Sequence, residues 1–281
     1  MVSVQVRRSW LVSKPLLGLL VLLVSPVSAD DDPQAKHRLK LMEEEVGNLE
    51  PESSELKTKP ALTFASKPLL RYSDPTRGII GERSNVLLDG GVWRLGTEGR
   101  PTALVTIELY EVSGVPGLLS YEFLSLTGAK LSLKHKEGKI PHWEPTESGL
   151  TLKELAEAPK PAATAAARLV QMRQLARRFT VKEKIRGREE IECRLLTQPI
   201  DRYQSEADTI VDGAIFVYVN STNPEVGVVV ETDGNRWVYG TLRLAGAELT
   251  VALDGREVAA YRSGTSGSYR YGVHGISDTD K

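Results

Sequence analysis

Short apolar runs, separated by Gly and Pro, dominate most of the chain. The runs 103–109 and 226–231 are rich in β-branched residues, and Leu119–Phe123 alternates between apolar and polar positions. Both patterns are typical of β-strands. Gly138 and Gly255 lie between such runs, where a hairpin turn needs a residue that adopts positive φ. The pattern predicts a mainly β (α+β) protein with antiparallel strands in a sandwich- or barrel-like arrangement.

Two segments carry a helical period instead. In Gln34–Leu49, apolar residues recur every three or four positions among charged ones, which is typical of a helix with one apolar stripe. Ala162–Phe179 follows Pro161, a residue that suits the first turn of a helix. Its apolar stripe consists of Leu169, Met172, Leu175, Ala176 and Phe179. We expect one or two helices that pack against the strands through these stripes.

Several short blocks of the first half recur in the second half in the same order. The matching blocks are 68–72 and 199–203, 89–93 and 212–216, and 126–133 and 244–251. Three matches in one order are hard to obtain by chance, so we expect two copies of one β-rich unit packed with pseudo-symmetry. The predicted division is 1–29 signal peptide, 30–58 charged helical or linker segment, 59–142 first β-rich repeat, 143–179 linker and amphipathic helix, 180–262 second β-rich repeat and 263–281 flexible tail.

The first 29 residues have the pattern of a secretory signal. Arg7, Arg8 and Lys14 precede the apolar run 16–24, and Val27-Ser28-Ala29 offers small residues for cleavage before Asp30. The apolar run is shorter than the roughly 20 residues that a membrane-spanning helix needs. We therefore predict export to the periplasm, the envelope or the medium, with no transmembrane segment after cleavage. An uncleaved anchor and twin-arginine export stay open as alternatives.

Charge and cysteine content narrow the function classes. Lys and Arg number 36 against 37 Asp and Glu, so a nucleic-acid binder that works by bulk positive charge is excluded. The single cysteine excludes a disulfide scaffold and a thiolate zinc site. Cys193 lies on the apolar side of an alternating run, so we interpret it as a buried thiol. Cleavage removes three basic residues and no acidic one, which makes the mature chain mildly acidic.

The repeated polar residues are the candidate site. Arg71-Tyr72 recurs as Arg202-Tyr203, and Glu108 recurs as Glu231. We interpret each Glu as the ion-pair partner of the Arg in its own repeat. The alternative is that the two carboxylates meet in a cleft between the repeats, where they could serve acid–base chemistry or hold a divalent cation.

The repeated Asp-Gly pairs have a simpler interpretation. Asp89 and Asp212 each precede a small residue pair that begins with Gly, which is typical of turns. His135 and His142 flank a predicted turn, but ligands of other types are missing at suitable spacing, so we predict no metal site. Catalytic motifs and cofactor-binding motifs are likewise missing from the sequence, and we predict no catalytic residue and no cofactor.

One face of the second predicted helix is basic. It carries Arg168, Arg173, Arg177 and Arg178. Such a face could make a weak contact with a polyanion or an anionic surface, although a solvated outer face is the commoner use. Other partners cannot be predicted from these residues.

A set of motifs resembles a family of uncharacterised proteins from planctomycete bacteria. The resemblance covers roughly residues 60–260. The blocks that carry it are Arg71-Tyr72, Leu88–Trp93, Gly99–Pro101, Ala167–Arg173, Leu195–Tyr203, Asp212–Phe216 and Thr222–Val226. The family has no assigned activity, so the resemblance implies one duplicated unit and adds no ligand or catalytic residue.

These observations predict an exported, non-catalytic binding or structural module of the cell envelope or periplasm. The alternative from another class is a hydrolase or transferase that uses Glu108 and Glu231 between the two repeats.

Overall fold

The protein is mainly β, as predicted, with 48% strand and 13% helix. The computed structural model describes residues 32–56, 58, 60–74, 85–112, 115–185 and 189–276. The predicted signal peptide, residues 1–29, lies outside these described residues. Among the residues that are described, no helix has the length and apolar character to cross a membrane.

The described residues of the first half form one helix and six strands. They are α1 (Pro33–Gly47), β1 (Leu49–Glu52), β2 (Leu70–Asp74), β3 (Asn85–Leu95), β4 (Ala103–Val112), β5 (Val115–Ser125) and β6 (Ser132–His135), with a short 3-10 turn at Pro60–Leu62. The second half begins with β7 (Lys153–Glu154), α2 (Ala165–Ala176), β8 (Phe179–Lys184), β9 (Glu190–Glu192), β10 (Arg194–Leu195) and β11 (Asp201–Ser205). It continues with β12 (Ile210–Asn220), β13 (Asn223–Thr232), β14 (Trp237–Arg243), β15 (Glu248–Leu253), β16 (Arg256–Tyr261) and β17 (Tyr269–Gly275).

Two large antiparallel sheets form the middle of the molecule. Sheet I has the order β17-β5-β4-β3-β2, and sheet II has the order β10-β12-β13-β14-β7, with β11 also paired to β12. Two small sheets flank them: β1 pairs with β6, and β15 lies between β8 and β16, with β9 beyond β8.

The two halves share one order of elements and pairings. In the first half, α1 is followed by β1, which pairs with β6 in a small sheet. In the second half, α2 is followed by β8, which pairs in the same way with β15. Between them, β2-β3-β4-β5 and β11-β12-β13-β14 form the same antiparallel succession. We call residues at matching positions of these two series counterparts.

Three apolar clusters hold the layers together. One joins α1 to sheet I through residues such as Met42 and Ile107, and a second joins α2 to sheet II through residues such as Met172 and Val228. The third lies between the two sheets and is named the central core. It includes Leu87, Val92, Leu104 and Leu124 from sheet I, and Ile215, Val217, Val229 and Leu242 from sheet II. Because side chains alternate along a strand, each large sheet packs a helix on one face and its partner sheet on the other.

Both helices begin at a capping side chain. Asp32 accepts a hydrogen bond from the backbone N–H of Gln34 at 3.0 Å, and Thr164 accepts one from Ala167 at 3.2 Å. These residues satisfy backbone donors that have no partner within the helix. Cys193 is buried, in agreement with its interpretation from the sequence.

The C-terminal segment differs from the prediction of a flexible tail over 263–281. Tyr269–Gly275 forms β17, the edge strand of sheet I, and pairs with β5 over its whole length. Tyr269 is 1% exposed within the central core, so its burial helps to fix the strand. Residues 277–281 lie outside the described residues.

Candidate functional site

The first pair of predicted site residues is divided between two different networks. Arg71 does not bind Glu108; it forms a two-bond ion pair with Asp89, with Nε–Oδ1 at 2.9 Å and Nη2–Oδ2 at 2.6 Å. Arg38 of α1 donates to the same carboxylate at 3.2 Å. Arg71 also donates to the carbonyl oxygen of Ala35 at 2.6 Å, so the network fastens α1 to sheet I.

The second half contains the same network. Arg202 forms a two-bond ion pair with Asp212 at 2.9 and 2.7 Å, and Arg168 of α2 donates to that carboxylate at 2.9 Å. Arg202 donates to the carbonyl oxygen of Ala165 at 2.6 Å. The prediction that Arg71 and Arg202 pair with the two glutamates is therefore wrong, because each Arg points to the helix side of its sheet.

Asp89 and Asp212 were expected in turns, and this is also wrong. They lie inside β3 and β12 and are 3% and 0% exposed. The Gly that follows each Asp has another use. A Cβ at Gly90 would lie 2.7 Å from the ring of Tyr72, and one at Gly213 would lie 2.6 Å from the ring of Tyr203. Gly is needed there because a buried tyrosine crosses the strand.

Each tyrosine crosses its glycine to reach a glutamate on the next strand. Tyr72 donates to Glu108 Oε1 at 2.9 Å, and Tyr203 donates to Glu231 Oε1 at 2.7 Å. The register places Tyr72, Gly90 and Glu108 in one row across three strands. Burial and the neighbouring carboxylate raise the pKa of each tyrosine well above its usual value. Both hydroxyls therefore stay protonated and donate.

The remaining partners of the two glutamates differ. Glu108 accepts from the hydroxyls of Tyr110 at 2.7 Å and Ser120 at 3.2 Å. Glu231 instead receives two hydrogen bonds from Arg100, both at 2.7 Å. The hydrogen bonds and charge of Glu231 raise the pKa of Arg100 despite its partial burial. Arg100 belongs to the connection between β3 and β4, so this ion pair crosses from the first half to the second.

The surroundings of these carboxylates leave little room for a substrate. Glu108 and Glu231 are 4% and 2% exposed. The cavity beside Glu231 has a volume of about 150 Å³, and its lining includes Arg100, Asp208 and Asp233. Small-molecule sites commonly have volumes of about 300–1,000 Å³. The arrangement fits carboxylates that tie strands together better than carboxylates that face a reacting group.

The predicted basic face of α2 is not a continuous free surface. Arg168 is 7% exposed and is held by Asp212. Arg178 donates to Asp254 through Nε and Nη2, and Arg173 bonds the side-chain oxygen of Gln198. Because one arginine is buried and two are engaged with other polar groups, a patch of four available guanidinium groups does not form.

A polar cluster that the sequence analysis missed lies at the end of α1. Glu45 Oε2 accepts from the hydroxyl of Tyr121 at 2.6 Å and from Nε2 of His135 at 3.0 Å, and Oε1 accepts from Lys139 at 3.1 Å. His135 Nδ1 accepts from the backbone N–H of Glu137, which leaves the ring proton on Nε2. Burial alone would raise the pKa of Glu45, but these three hydrogen bonds outweigh it and lower the pKa.

The Glu45–His135 pair of this cluster has no polar counterpart in the second half. The positions that match Glu45, Tyr121 and His135 are Leu175, Tyr239 and Leu253, according to the helix networks and the strand register. Leu175 belongs to the apolar cluster under α2. The fold can therefore pack this corner without a Glu–His pair. Glu45 and His135 are 90 residues apart, and only the β1–β6 pairing could have indicated their contact.

A pocket of about 370 Å³ opens beside Glu45 and is named the α1 pocket. It is lined by His37, Lys40, Leu41, Glu44, Glu45, Asn48, Leu119, Glu137, Lys139, His274 and Ile276. Its volume is at the lower end of the range of small-molecule sites, about 300–1,000 Å³. Within the described part of the chain, His, Cys, Asp and Glu form no group of three or more that could hold a metal ion.

Comparisons with known proteins assign this chain to no family. A scan against protein-family models found no match, and searches of curated proteins and of solved structures found none either.

Proposed function

We propose that this protein is an exported, non-catalytic binding or structural module of the cell envelope or periplasm, built from two copies of one β-rich unit. The leader-like pattern of residues 1–29 supports export. The shared order of elements and the matching Arg–Asp–Arg networks support duplication. The resemblance to uncharacterised planctomycete proteins is part of the same proposal.

One observation carries the non-catalytic assignment. All six predicted site residues make hydrogen bonds that join a helix to a sheet or one strand to the next. Glu108 and Glu231 are buried, and both oxygens of each accept hydrogen bonds from the protein. A general acid or base must instead reach the proton that it transfers, directly or through one water.

Export is tested by following the N-terminus. Full-length protein with a C-terminal tag is expressed in a bacterium, and each cell fraction is examined by mass spectrometry. We expect the tagged protein outside the cytoplasm, beginning at Asp30. The variant Leu20→Arg interrupts the apolar run and should keep the protein in the cytoplasm, whereas Val170→Thr, on the surface of α2, should leave export unchanged. If the wild-type protein is found uncleaved in the membrane fraction, residues 1–29 act as a membrane anchor and the predicted cleavage is wrong.

The absence of catalysis is tested on the same purified protein. Mature wild type, Glu108→Gln and Glu231→Gln are compared on a panel of ester, glycoside, phosphate and peptide substrates. We expect no turnover by any of them. Turnover by wild type that disappears in Glu231→Gln, while the variant still shows a cooperative thermal transition, would favour the hydrolase or transferase alternative.

A further inference from the structure

β17 forms one outer edge of sheet I and lacks the features that usually protect such an edge. It has seven residues and pairs with β5 without a shift of register. The other edge strands of the two large sheets are different: β7 and β10 have two residues each, and β2 and β11 are interrupted by shifts of register. Short strands and bulges hinder pairing with another chain. The segment Tyr271–Gly275 of β17, named the open edge, also contains no Lys, Arg, Asp, Glu or Pro.

The hydrogen bonds between β17 and β5 show which residues face outward. Ser125 donates from its backbone N–H to the carbonyl oxygen of Ser268 at 3.0 Å, and Ile276 donates to that of Gly117 at 2.9 Å. Hydrogen-bonded pairs alternate along an antiparallel ladder, so the even-numbered residues of β17 bond β5. The odd-numbered residues direct their N–H and C=O groups to the outer side.

Three of the outward-facing residues are available for pairing. At Tyr269 the outer side is occupied, because Ser266 donates from its backbone N–H to the carbonyl oxygen of Tyr269 at 2.9 Å. In the described part of the chain, the outward N–H and C=O groups of Tyr271, Val273 and Gly275 have no hydrogen-bond partner. The side chains of Tyr271 and Val273 are 44% and 49% exposed. The open edge thus combines available backbone groups with exposed apolar side chains.

Two glycines of the open edge have no steric role within the described chain. Gly272 and Gly275 lack a positive φ, and a Cβ at either would meet no described atom within 4 Å. They differ in this from Gly90 and Gly213, which make room for tyrosine rings. Glycine weakens the interior of a strand and often marks a place where another backbone approaches closely. At the open edge, that backbone has to come from outside the described chain.

We propose that the open edge pairs antiparallel with the open edge of a second copy of this chain, with a two-fold axis at Val273. Val273 then lies opposite the partner subunit's Val273, and Tyr271 lies opposite the partner subunit's Gly275. All outward N–H and C=O groups of both open edges form hydrogen bonds, and sheet I continues across the two copies. This inference goes beyond the proposed function, since it depends on neither export nor the absence of catalysis.

The side chains of the open edge complement each other in this register. On the side of the central core, the ring of Tyr271 covers the partner subunit's Gly275, and on the side of α1, His274 covers the partner subunit's Gly272. An aromatic side chain opposite a glycine compensates for the missing cross-strand contact. The two Val273 side chains meet at the axis. Because the open edge carries no Lys, Arg, Asp or Glu, this pairing places no like charges of these residues opposite each other.

Other registers use the open edge less well. A shift toward the start of β17 would bring the partner strand against Tyr269, where Ser266 already bonds the backbone. A shift in the other direction would leave Tyr271 without a partner inside the open edge. The axis at Val273 is therefore the register in which every outward group of the open edge is paired.

The test measures association of the chain from Asp30 onward by sedimentation velocity. Pairing over the open edge alone buries less surface than the about 1,200–2,000 Å² of a standard interface, so the dimer should be weak. We expect a dissociation constant on the order of 100 μM, with a mass that rises from one chain toward two between about 10 μM and about 1 mM. A mass that stays at one chain over this range would overturn the proposal.

Two matched variants locate the contact. Val273→Lys places two ammonium groups opposite each other at the axis and should weaken association about tenfold or more. Val170→Lys makes the same change on α2, where Val170 is 51% exposed, and should leave association unchanged. Circular dichroism checks that both variants keep the strand signal of the wild type. Association that is equally strong in the two variants would place the contact elsewhere and exclude the open edge.

Amide hydrogen exchange, followed by NMR, gives a second readout. The N–H groups of Tyr271 and Val273 should exchange several-fold more slowly at about 1 mM than at about 10 μM protein, because pairing protects them. Val273→Lys should remove this dependence on concentration at Tyr271. Association without such protection would contradict pairing through β17.

A truncation after Ile276 separates the other possible occupant of this edge. A hairpin with a two-residue loop would place 279–281 beside 274–276 and would leave Tyr271 and Val273 uncovered. If protection of Val273 is instead independent of concentration and disappears on truncation, the chain's own final residues cover the open edge, and the proposal is wrong. Failure of dimerisation leaves the export result and the substrate panel unaffected, so it is distinguishable from failure of the proposed function.

Discussion

At the scale of single residues, two glycines decide where the buried tyrosines can lie. Tyr203 reaches Glu231 by lying across Gly213, and Tyr72 reaches Glu108 by lying across Gly90. Neither glycine has a positive φ, so the requirement is for space and not for an unusual backbone conformation. The paired hydroxyl and carboxylate satisfy each other inside the sheet, where an unpaired polar group would be costly.

The substitution Gly213→Ala tests this requirement. Its Cβ would lie 2.6 Å from the ring of Tyr203 and 3.0 Å from Glu231 Cγ, so a ring with little freedom must move. We expect a loss of about 1–3 kcal/mol in the free energy of unfolding, the usual cost of overpacking. Gly128→Ala is the matched control, because its Cβ would meet no atom within 4 Å. Urea denaturation measures both, and equal stability of the two variants would refute the steric role.

At the scale of elements, the Arg–Asp–Arg networks explain how each helix is fixed on its sheet. Asp212 is fully buried and receives hydrogen bonds from Arg168 on α2 and Arg202 on β11. Arg202 then bonds a carbonyl oxygen in the first turn of the helix. One carboxylate thus joins a helix, an edge strand and a central strand, and the first half uses Asp89 in the same way.

The variant Asp212→Asn should therefore be destabilised more than a variant that removes one partner of an exposed ion pair. It leaves the buried guanidinium of Arg168 without its opposite charge, and breaking a buried pair on one side typically costs about 3–5 kcal/mol. The control Asp254→Asn removes the partner of Arg178 at the surface, where about 0–1 kcal/mol is expected. Denaturant titration compares the two losses. A loss for Asp212→Asn that is as small as that of the control would exclude an anchoring role.

The elements themselves were accessible from the sequence, but their polar contacts were not. Period-two runs and apolar stripes predicted the mainly β architecture and both helices, since these depend on neighbours along the chain. The partner of Arg71 depends on which face of β2 its side chain occupies, and a one-residue change of register exchanges the faces. The Asp-Gly pair is also ambiguous in a sequence. It suits a turn, but in this protein it lies inside a strand and its Gly makes room for a tyrosine ring. Glu45 and His135 meet only through tertiary structure.

At the scale of the whole molecule, the two halves are joined by more than a linker. The central core contains buried side chains from both large sheets. In the described part of the chain, two ion pairs also cross between the halves: Arg94 binds Asp201 at 2.7 Å, and Arg100 binds Glu231. Arg94 and Asp201 are each about nine-tenths buried. Separation of the two sheets would therefore break this ion pair and expose both side chains to solvent. The two halves are therefore expected to unfold together in one cooperative transition.

Tryptophan fluorescence can report on each half separately. Trp93 lies in the cluster under α1 and Trp237 in the cluster under α2, and both are almost fully buried. Variants of the mature protein that retain only one of these residues, with Phe at the other tryptophan positions, give one probe for each half. In either variant, the fluorescence transition in urea should coincide with the loss of strand signal in circular dichroism, because the unfolding of one sheet exposes the central core of the other.

Val229→Ala, introduced into both single-tryptophan variants, sharpens the comparison. Val229 belongs to sheet II but contacts the central core, so its truncation should lower the free energy of unfolding by about 1–3 kcal/mol whichever half is observed. A shift seen by Trp237 alone would mean that the halves unfold independently. The central core would then be a contact between two separately stable units, and the ion pairs that cross it would matter for their orientation more than for their stability.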